Sequence, residues 1–234
     1  MTPDTKLLSI TVPHNPTGTV IPRGDLDAII SMTQKKNIKL LVDETYRDMT
    51  FTDKLPVAAS LATNIISVSS LSKTFGLPGI RVGWLICRDK EMMKKFLAAK
   101  EQMIICGSIV DEEIAYRFME TRQQKLPAIL AEIQSRLSIV KEWMTESSDI
   151  LEWIEPKGGV VCFPRIIAKI TDFEEFYQIL NEQFKTFVGP GHWFEMEKCF
   201  MRIGYGWPKT HQELKKGLEN ISKAVRICLE KQKH

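Results

Sequence analysis

Hydrophobic residues follow two different spacings in the first third of the chain, and these spacings predict its elements. Apolar, β-branched runs typical of strands occupy residues 7–12, 39–42, 65–69 and 82–87. From Asp25 onward apolar positions recur at helical spacing, and a basic amphipathic segment at 90–103 follows the fourth strand. Strands that alternate with amphipathic helices are typical of βαβ units, so we predict an α/β fold with a mainly parallel sheet.

The rest of the chain is first helical and then mixed. The pattern is almost wholly helical over residues 111–148, and one apolar face continues through a long segment that starts near Pro127. This segment predicts a helix that bridges two domains. A short α+β stretch follows, with a helix over 173–184 and a terminal helix. We therefore expect a partial large domain at residues 1–122, and a bridging helix with a small C-terminal domain at 123–234.

Composition and charge narrow the class of protein. Of 234 residues, 44% are hydrophobic, and 32 Lys and Arg against 29 Asp and Glu leave a net charge of +3. This balance argues against a nucleic-acid partner held by bulk charge. No stretch reaches the roughly 18 apolar residues of a membrane span, and no secretory signal opens the sequence. Five cysteines without a CxxC pair argue against a disulfide framework or a zinc site, so we expect a soluble, cytoplasmic protein without metal.

Polar residues follow three successive predicted strands. They are His14 and Asn15, then Asp43 and Glu44, then Ser70, Ser72 and Lys73. Because open α/β sheets bind ligands outside the carboxyl ends of their strands, we expect these side chains to surround one crevice. Taken singly, each also has a structural interpretation: Asp43 as a helix cap, Asn15 as part of a turn and Lys73 as a surface residue.

Four short motifs occur in the sequence, and their combination is a more specific signal than any one of them alone. They are NPTG at 15–18, DETY at 43–46, SLSKTFGLPGIRVG at 70–83 and FMRIGYG around Arg202. In order and spacing they resemble the motifs of the class I and II aminotransferases, fold type I enzymes that use pyridoxal 5′-phosphate, and the resemblance covers nearly the whole chain. It implies the large domain of that fold, with its mainly parallel sheet, and an α+β small domain.

The resemblance also implies roles around the pyridoxal ring. Lys73 resembles the Schiff-base lysine, a nucleophile and proton carrier whose amine we expect in a buried site near cationic groups. Asp43 resembles the partner of the pyridine nitrogen, which lets the ring accept electrons. Asn15 and Tyr46 correspond to the hydrogen-bond donors that hold the phenolic oxygen of the ring.

Other motif residues correspond to groups that bind anions. Ser70 and Arg81 match the family's phosphate ligands, and Ser72 is a further candidate, because a guanidinium fork suits phosphate oxygens. Arg202, with Asn15, resembles the group that binds the substrate α-carboxylate. A surface arginine on a strand is the alternative, but the apolar residues around Arg202 favour a cleft.

Two glycine-containing loops are less specific. The loop GPGHWFE at 189–195 lies where the family approaches its active site, so His192 or Trp193 either contacts substrate or packs against neighbouring aromatic residues. The second loop, Lys157 with Gly158 and Gly159, predicts a turn in which glycine permits positive φ.

The sequence departs from the family pattern in two respects. His14 stands where many relatives have asparagine. The chain begins just before the NPTG strand, so we expect it to lack the family's upstream helix N-terminus for phosphate and the ring that stacks on the cofactor. We therefore expect an N-terminally truncated enzyme, and residues 1–234 alone should hold the cofactor loosely, lack transaminase activity and self-associate through the sheet edge.

The sequence thus predicts a pyridoxal-phosphate-dependent aminotransferase that moves an amino group between an amino acid and a 2-oxo acid, in a homodimer. A carbon–sulfur lyase, a decarboxylase or an amino-acid synthase of the same fold would share every motif. A non-catalytic binding or regulatory fragment is the alternative from another class. The motifs do not identify the substrates.

Overall fold

The structure is a computed structural model that describes residues 1–232. Its chain divides into two compact units. Unit 1 comprises residues 1–14, 19–128 and 157–159, and unit 2 comprises 15–18, 129–156 and the chain from Val160 onward. Among the described residues, unit 1 has one sheet and unit 2 has two, and each unit has its own buried side chains.

Unit 1 is built on a four-stranded sheet. Its strands are β1 (Leu7–Thr11), β2 (Lys39–Asp43), β3 (Ile65–Ser70) and β4 (Gly83–Cys87), in that spatial order. β1, β2 and β3 run parallel, and β4 pairs antiparallel with β3. The helices of this part are α1 (Arg23–Lys35) and α2 (Lys90–Met103). The predicted α/β class and its mainly parallel sheet are confirmed.

Aliphatic side chains from β2, β3 and α1 form the core of unit 1. Leu26 and Ile30 of α1 are buried in one cluster with Leu40 and Ile65 of the sheet. Burial of each such side chain contributes about 1.5–3 kcal/mol. A shift of one residue in a strand would turn its apolar set to the other face, so this core fixes the register of the sheet.

The turn at residues 157–159 packs tightly against the start of unit 1. A Cβ at Gly158 would lie 2.6 Å from Cγ of Pro13 and 3.2 Å from the carbonyl oxygen of Met49. Gly159 has φ +81°, and its N–H donates to the same carbonyl oxygen at 3.1 Å. The predicted positive φ in this turn is confirmed, and Gly158 is required for close approach.

A long helix, α3 (Ile109–Glu146), passes through Pro127 without a break. The helical pattern predicted over 111–148 is confirmed. The start near Pro127 is wrong, because α3 begins well before that residue and contains residues of both units. Proline removes one hydrogen bond, which would have gone to the carbonyl of Gln123. Both residues are on exposed positions of α3, where water can satisfy the freed carbonyl.

Unit 2 contains the second part of α3, short antiparallel strands and two further α-helices in its described residues. Its strands are β5 (Leu151–Glu152), β6 (Val161–Cys162), β7 (Arg165–Ile166), β8 (Gly189–Pro190) and β9 (Met201–Gly204). β5 pairs with β7, and β9 lies between β6 and β8. The helices are α4 (Phe173–Gln178), which continues as a π-helical turn (Ile179–Gln183), and α5 (His211–Lys231). The single helix predicted at 173–184 is thus divided.

One surface of unit 1 is unusually apolar. No residue of α2 is buried. The exposed apolar side chains near its end and at the start of α3 are Leu97, Met103, Ile104, Ile105, Ile109 and Val110. Within residues 1–232, no helix combines the length and hydropathy needed to cross a bilayer. A concentration of exposed apolar side chains is typical of a contact surface.

Glu44, directly after β2, is a buried carboxylate. Its Oε1 accepts a hydrogen bond from the N–H of Ala58 at 3.0 Å and lies 3.7 Å from Nε of Arg47. Burial raises the pKa of the Glu44 carboxyl above its ordinary value of 4.5, against the lowering effects of the Ser67 hydroxyl, the Ala58 N–H and the Arg47 charge. The folded protein therefore binds this proton more tightly than the unfolded chain does.

We predict that Gly158→Ala destabilises the protein by about 1–3 kcal/mol, because the new methyl group overlaps Pro13 and the backbone at Met49 must shift. Urea unfolding measures the change. Gly24→Ala is the matched control, since a Cβ at Gly24 meets nothing within 4 Å and alanine favours the helix. Equal unfolding midpoints for the two variants would show that the close approach at Gly158 costs nothing.

We predict that the contribution of Glu44 to the free energy of unfolding decreases as pH rises. Because the pKa of Glu44 is raised in the folded state, its contribution to the free energy of unfolding is largest below the ordinary value of 4.5 and declines as pH rises through the folded pKa. Glu44→Gln keeps an oxygen for Ala58 but stays neutral, so the variant should lack this decline. Urea unfolding of both proteins between about pH 4 and pH 7 tests it, and parallel curves would contradict it.

Candidate active site

The carboxyl ends of the three parallel strands lie at one edge of the sheet. Thr11 of β1 pairs with Asp43 of β2, and Asp43 pairs with Val68 of β3. The loops after β2 and β3 therefore begin side by side. The structure brings together Asp43 and the segment around Lys73, as parallel pairing predicts.

Asp43 is held by the residues that follow it. Its Oδ1 accepts hydrogen bonds from the N–H of Thr45 at 2.9 Å and from the Thr45 hydroxyl at 2.5 Å. The hydroxyl of Thr74 donates to the carbonyl of Thr45 at 2.8 Å, which ties the loop after β3 to the loop after β2. In residues 1–232, Oδ2 of Asp43 accepts no hydrogen bond. This oxygen is therefore available to a donor from a ligand.

Lys73 lies on the outside of the turn after β3. The turn is closed by a hydrogen bond from the N–H of Leu71 to the carbonyl of Val82 at 3.1 Å. Leu71, Thr74 and Phe75 take its buried positions and leave Lys73 exposed. A buried amine, as the sequence suggested, is therefore wrong for this structure. Among the described residues the amine has no hydrogen-bond or ion-pair partner.

Ser70 and Arg81 lie at the same end of the β3–β4 pair. Ser70 pairs with Gly83, two residues beyond Arg81, and the Ser70 hydroxyl accepts from the N–H of Ser72 at 3.3 Å. Arg81 has φ +50°, is exposed and donates from Nη1 to the carbonyl of Pro78 at 2.9 Å. A non-glycine residue in this left-handed region costs about 1–2 kcal/mol, and such strain is common at ligand sites.

The ring of Tyr46 is buried inside the turn that follows β2. The backbone carbonyl of Tyr46 accepts a hydrogen bond from the N–H of Met49 at 2.8 Å, and the residue is only 9% exposed. A Cβ at Gly159 would approach Cδ1 of Tyr46 to 3.9 Å, an ordinary contact distance. The same glycine turn thus packs beside the tyrosine that the DETY motif supplies.

The donor set of unit 1 fits a planar, anionic cofactor. It combines a carboxylate with a free oxygen, a phenol, two hydroxyls, an unpaired amine and a guanidinium. These groups belong to Asp43, Tyr46, Ser70, Ser72, Lys73 and Arg81. A ring nitrogen, an aldehyde and a phosphate are the complementary groups, and pyridoxal phosphate carries all three. Within residues 1–232, no cluster of three His, Cys, Asp or Glu side chains could hold a metal ion.

Arg202 and Asn15 meet in unit 2 although 187 residues separate them in sequence. Nη1 of Arg202 donates to Oδ1 of Asn15 at 3.2 Å, and Arg202 on β9 is half-buried. Its guanidinium carbon lies 4.9 Å from the ring centroid of Phe194. The alternative of a surface arginine on a strand is wrong, and two of the four motifs contribute residues to one contact.

Space for the Arg202 side chain comes from a glycine and a group of phenylalanines. A Cβ at Gly189 would lie 3.4 Å from Cβ and 3.5 Å from Nε of Arg202. The ring of Phe194 packs edge-on against Phe163 at 5.5 Å between centroids, and Phe163 stacks on Phe200 at 5.4 Å. The guanidinium is therefore fixed by an amide oxygen, an aromatic face and the absence of a side chain at Gly189.

Sequence reasoning missed Phe194 and considered its two neighbours instead. His192 and Trp193 are exposed and contact each other at 6.4 Å between ring centroids. Residues 191–194 form a 3₁₀ turn. With three residues per turn, Phe194 lies on the same side as the buried Gly191, and this spacing is the signal that could have identified it.

Comparisons with known proteins identify the family and the fold of the chain. The chain matches the protein-family model "Aminotransferase class I and II" over residues 2–221. A solved structure of a PLP-dependent aminotransferase from Streptococcus suis 89-1591 superposes with a TM-score of 0.84 at 27% identity, covering 97% of this chain and 59% of that one. The fold type I class expected from the sequence is therefore confirmed.

Two curated relatives have different activities in their names. Capreomycidine synthase from Streptomyces vinaceus is 29% identical over 224 residues, which are 94% of this chain and 56% of that protein. The HTH-type transcriptional regulator NorG from Staphylococcus aureus is 25% identical over 216 residues, 89% of this chain and 47% of that protein. The chain thus spans about half the length of these relatives.

The match extends over most of the chain and includes every motif residue of both units. The relatives differ in function, but the family model covers the sheet edge with Asp43 and Lys73 as well as the contact of Arg202 with Asn15. The chain belongs to the aminotransferase class I and II family.

Proposed function

We propose that this chain is the pyridoxal-phosphate-binding part of an aminotransferase that moves an amino group between an amino acid and a 2-oxo acid. One observation carries the proposal. Asp43 and Lys73 follow adjacent parallel strands on loops joined by the Thr74 hydrogen bond, and each has a polar group without a partner in the described residues. Family membership and the PLP-dependent relative support the choice of cofactor.

Asp43 acts at the nitrogen of the pyridine ring. When bound, pyridoxal phosphate supplies an electron sink that stabilises a carbanion at the substrate α-carbon. Asp43 keeps a proton on the ring nitrogen, and Oδ2 is the oxygen left for this contact because Thr45 occupies Oδ1. The hydrogen bonds from Thr45 fix the carboxylate in place before the ring binds. The carboxylate therefore loses little conformational freedom on binding.

Lys73 holds the aldehyde carbon and moves a proton at the substrate α-carbon. An amine accepts a proton only when the amine itself is neutral. The same amine must also reach the aldehyde carbon of the cofactor and the α-carbon of the substrate in turn. The exposed position of Lys73 and its lack of an ion-pair partner support this mobility. The backbone of the turn is fixed by Thr74 and Leu71, so the motion is confined to the side chain.

The remaining residues bind and orient. Ser70, Ser72 and Arg81 bind the phosphate, for which a guanidinium and hydroxyls are the usual partners. Tyr46 and Asn15 donate hydrogen bonds to the phenolic oxygen of the ring. Arg202 binds the substrate α-carboxylate, and its contacts with Asn15 and Phe194 hold the guanidinium plane in one orientation.

A second candidate function is that of an amino-acid synthase of the same fold, which the 29% identity to capreomycidine synthase favours. A non-catalytic regulatory role is the third, given the similarity to NorG. The absorbance of the bound cofactor separates the two enzymes. A transaminase shifts it with an amino acid and restores it with a 2-oxo acid, whereas a synthase is not restored in this way. A homodimer and a cytoplasmic location stay predictions.

We predict that Lys73 is the attachment lysine. The 234-residue chain is mixed with pyridoxal phosphate and reduced with borohydride, which traps even a loosely held cofactor, and peptide mass mapping then locates the pyridoxyl group. It should be on Lys73, and Lys73→Arg should abolish specific labelling. Lys100→Arg, an exposed lysine of α2, is the control that should label normally. A specific adduct on another lysine would remove Lys73 from the site.

We predict that Arg202→Lys weakens binding of α-carboxylates at least about tenfold, because lysine replaces a planar fork with a point charge and one charge-assisted hydrogen bond is lost. Calorimetric titration with pyruvate, a simple 2-oxo acid, measures the affinity. The control is Arg165→Lys, since Arg165 also faces a ring, Phe200 at 5.9 Å, but pairs with Glu152. Equal affinities in the two variants would contradict the role of Arg202.

A further inference from the structure

Unit 2 contains an open groove of about 910 Å³ in addition to the contact of Arg202 with Asn15. Three segments line it: residues 184–188, residues 203–210 and the first half of α5, residues 212–221. A groove of this size lies in the upper range of natural ligand sites. Its residues have no part in the proposed transamination.

Two large aromatic side chains of the groove are exposed to solvent. Phe187 is 76% exposed and Trp207 is 91% exposed. An exposed tryptophan leaves a large apolar area in contact with water. Tryptophan is also among the residues most enriched at the energetically important positions of interfaces. The two rings are therefore candidates for contact with a partner.

Buried polar side chains fix both aromatic segments. The Nδ2 of Asn220 donates to the hydroxyl of Thr186 at 2.9 Å and to the carbonyl of Phe184 at 3.4 Å, on the N-terminal side of Phe187. The buried Arg136 donates from Nη1 to the carbonyls of Tyr205 and Pro208, which flank Trp207 in sequence. Asn220 is 4% exposed and Arg136 is 9% exposed. The aromatic side chains are thus presented by rigid backbone.

Two glycines of the groove are not required by the packing of the chain. A Cβ at Gly204 would meet nothing within 4 Å, and one at Gly217 would meet only Thr186, at 3.9 Å. Glycine inside a helix or a strand destabilises it, by up to about 1 kcal/mol in a helix. Where the protein itself does not need the space, a ligand that approaches the backbone closely is the physical reason for such a residue.

The charged residues of the groove favour a negatively charged partner. Lys185, Lys215 and Lys216 line it and have no ion-pair partner among the described residues. The two carboxylates of the groove are already engaged: Glu213 accepts from the N–H of Lys209 at 2.7 Å, and Glu219 pairs with Lys223 at 3.6 Å. The three lysines against these two glutamates leave the lining with a net charge of 3 − 2 = +1.

We propose that this groove binds an extended segment of a partner protein in which carboxylates flank an apolar side chain. The apolar side chain lies between Phe187 and Trp207, over Gly217, and the carboxylates meet the three lysines. The net charge of only +1 on the lining disfavours a nucleic-acid strand, whose affinity comes mainly from neutralising several phosphates. The proposal does not depend on the transaminase activity.

Fluorescence anisotropy of a labelled heptapeptide, Glu-Leu-Glu-Phe-Glu-Leu-Glu, tests the proposal with the full chain. We expect saturable binding, and at least tenfold weaker binding of Lys-Leu-Lys-Phe-Lys-Leu-Lys and of a thymidine heptanucleotide. Trp207→Ala and the double variant Lys215→Glu, Lys216→Glu should each weaken binding at least tenfold. Trp193→Ala is the matched control, since Trp193 is 65% exposed but does not line the groove.

A second variant separates binding from stability. Gly217→Leu should raise the unfolding midpoint, because leucine is the better helix former, and should abolish peptide binding because its side chain fills the groove. Loss of binding in a more stable protein would support the site and could not result from misfolding. Unchanged binding in Gly217→Leu or Trp207→Ala, equal binding of both peptides, tighter binding of the oligonucleotide or no binding at all would overturn the proposal.

Discussion

Parallel pairing of β2 with a strand on each side is the constraint on which the sheet edge of unit 1 depends. Each residue of β2 from Leu40 to Asp43 is matched to β1 and to β3, so the end of β2 cannot move without breaking both ladders. Asp43 lies at that end. The Thr74 hydroxyl then joins the loop of Lys73 to the loop of Asp43. The position of the Lys73 backbone is therefore coupled to that of Asp43. A rigid sheet thus fixes two loops that carry the chemistry.

The buried Arg136 and the half-buried Arg202 of unit 2 differ in the partners that the protein supplies to each guanidinium. This difference distinguishes a structural arginine from one that can bind a ligand. Arg136 has a carboxylate, Glu132 at 2.7 Å, and two backbone carbonyls, so its charge and donors are compensated within the protein. Among the described residues, Arg202 has one amide oxygen and one aromatic face as partners. A half-buried guanidinium with unused donors gains from a carboxylate, whereas Arg136 would lose contacts by taking one.

Local patterns in the sequence were sufficient to predict the strands of unit 1 and the polar residues that follow them. Each predicted strand of unit 1 differs from the observed one by a single residue at one end, because β-branched and other apolar residues that favour strands mark all four segments. The start of α3 was not predictable, since a proline on an exposed helix face is tolerated. The exposure of Lys73 and the contact of Phe194 depend on which residues of a short turn face the core. Periodicity over so few residues does not determine this.

The separation of 187 residues between Asn15 and Arg202 has a consequence for synthesis in the cell. Ribosomes add about 5–20 residues per second, so Asn15 leaves the ribosome roughly 10–40 s before Arg202 does. The first strands can pair during this interval because their partners are close in sequence. The contact between Asn15 and Arg202 cannot form until nearly the whole chain has been made. A nascent chain therefore passes through a period in which the sheet edge is ordered and the arginine is absent, and a ribosome that stalls before residue 202 would release a folded sheet without the arginine.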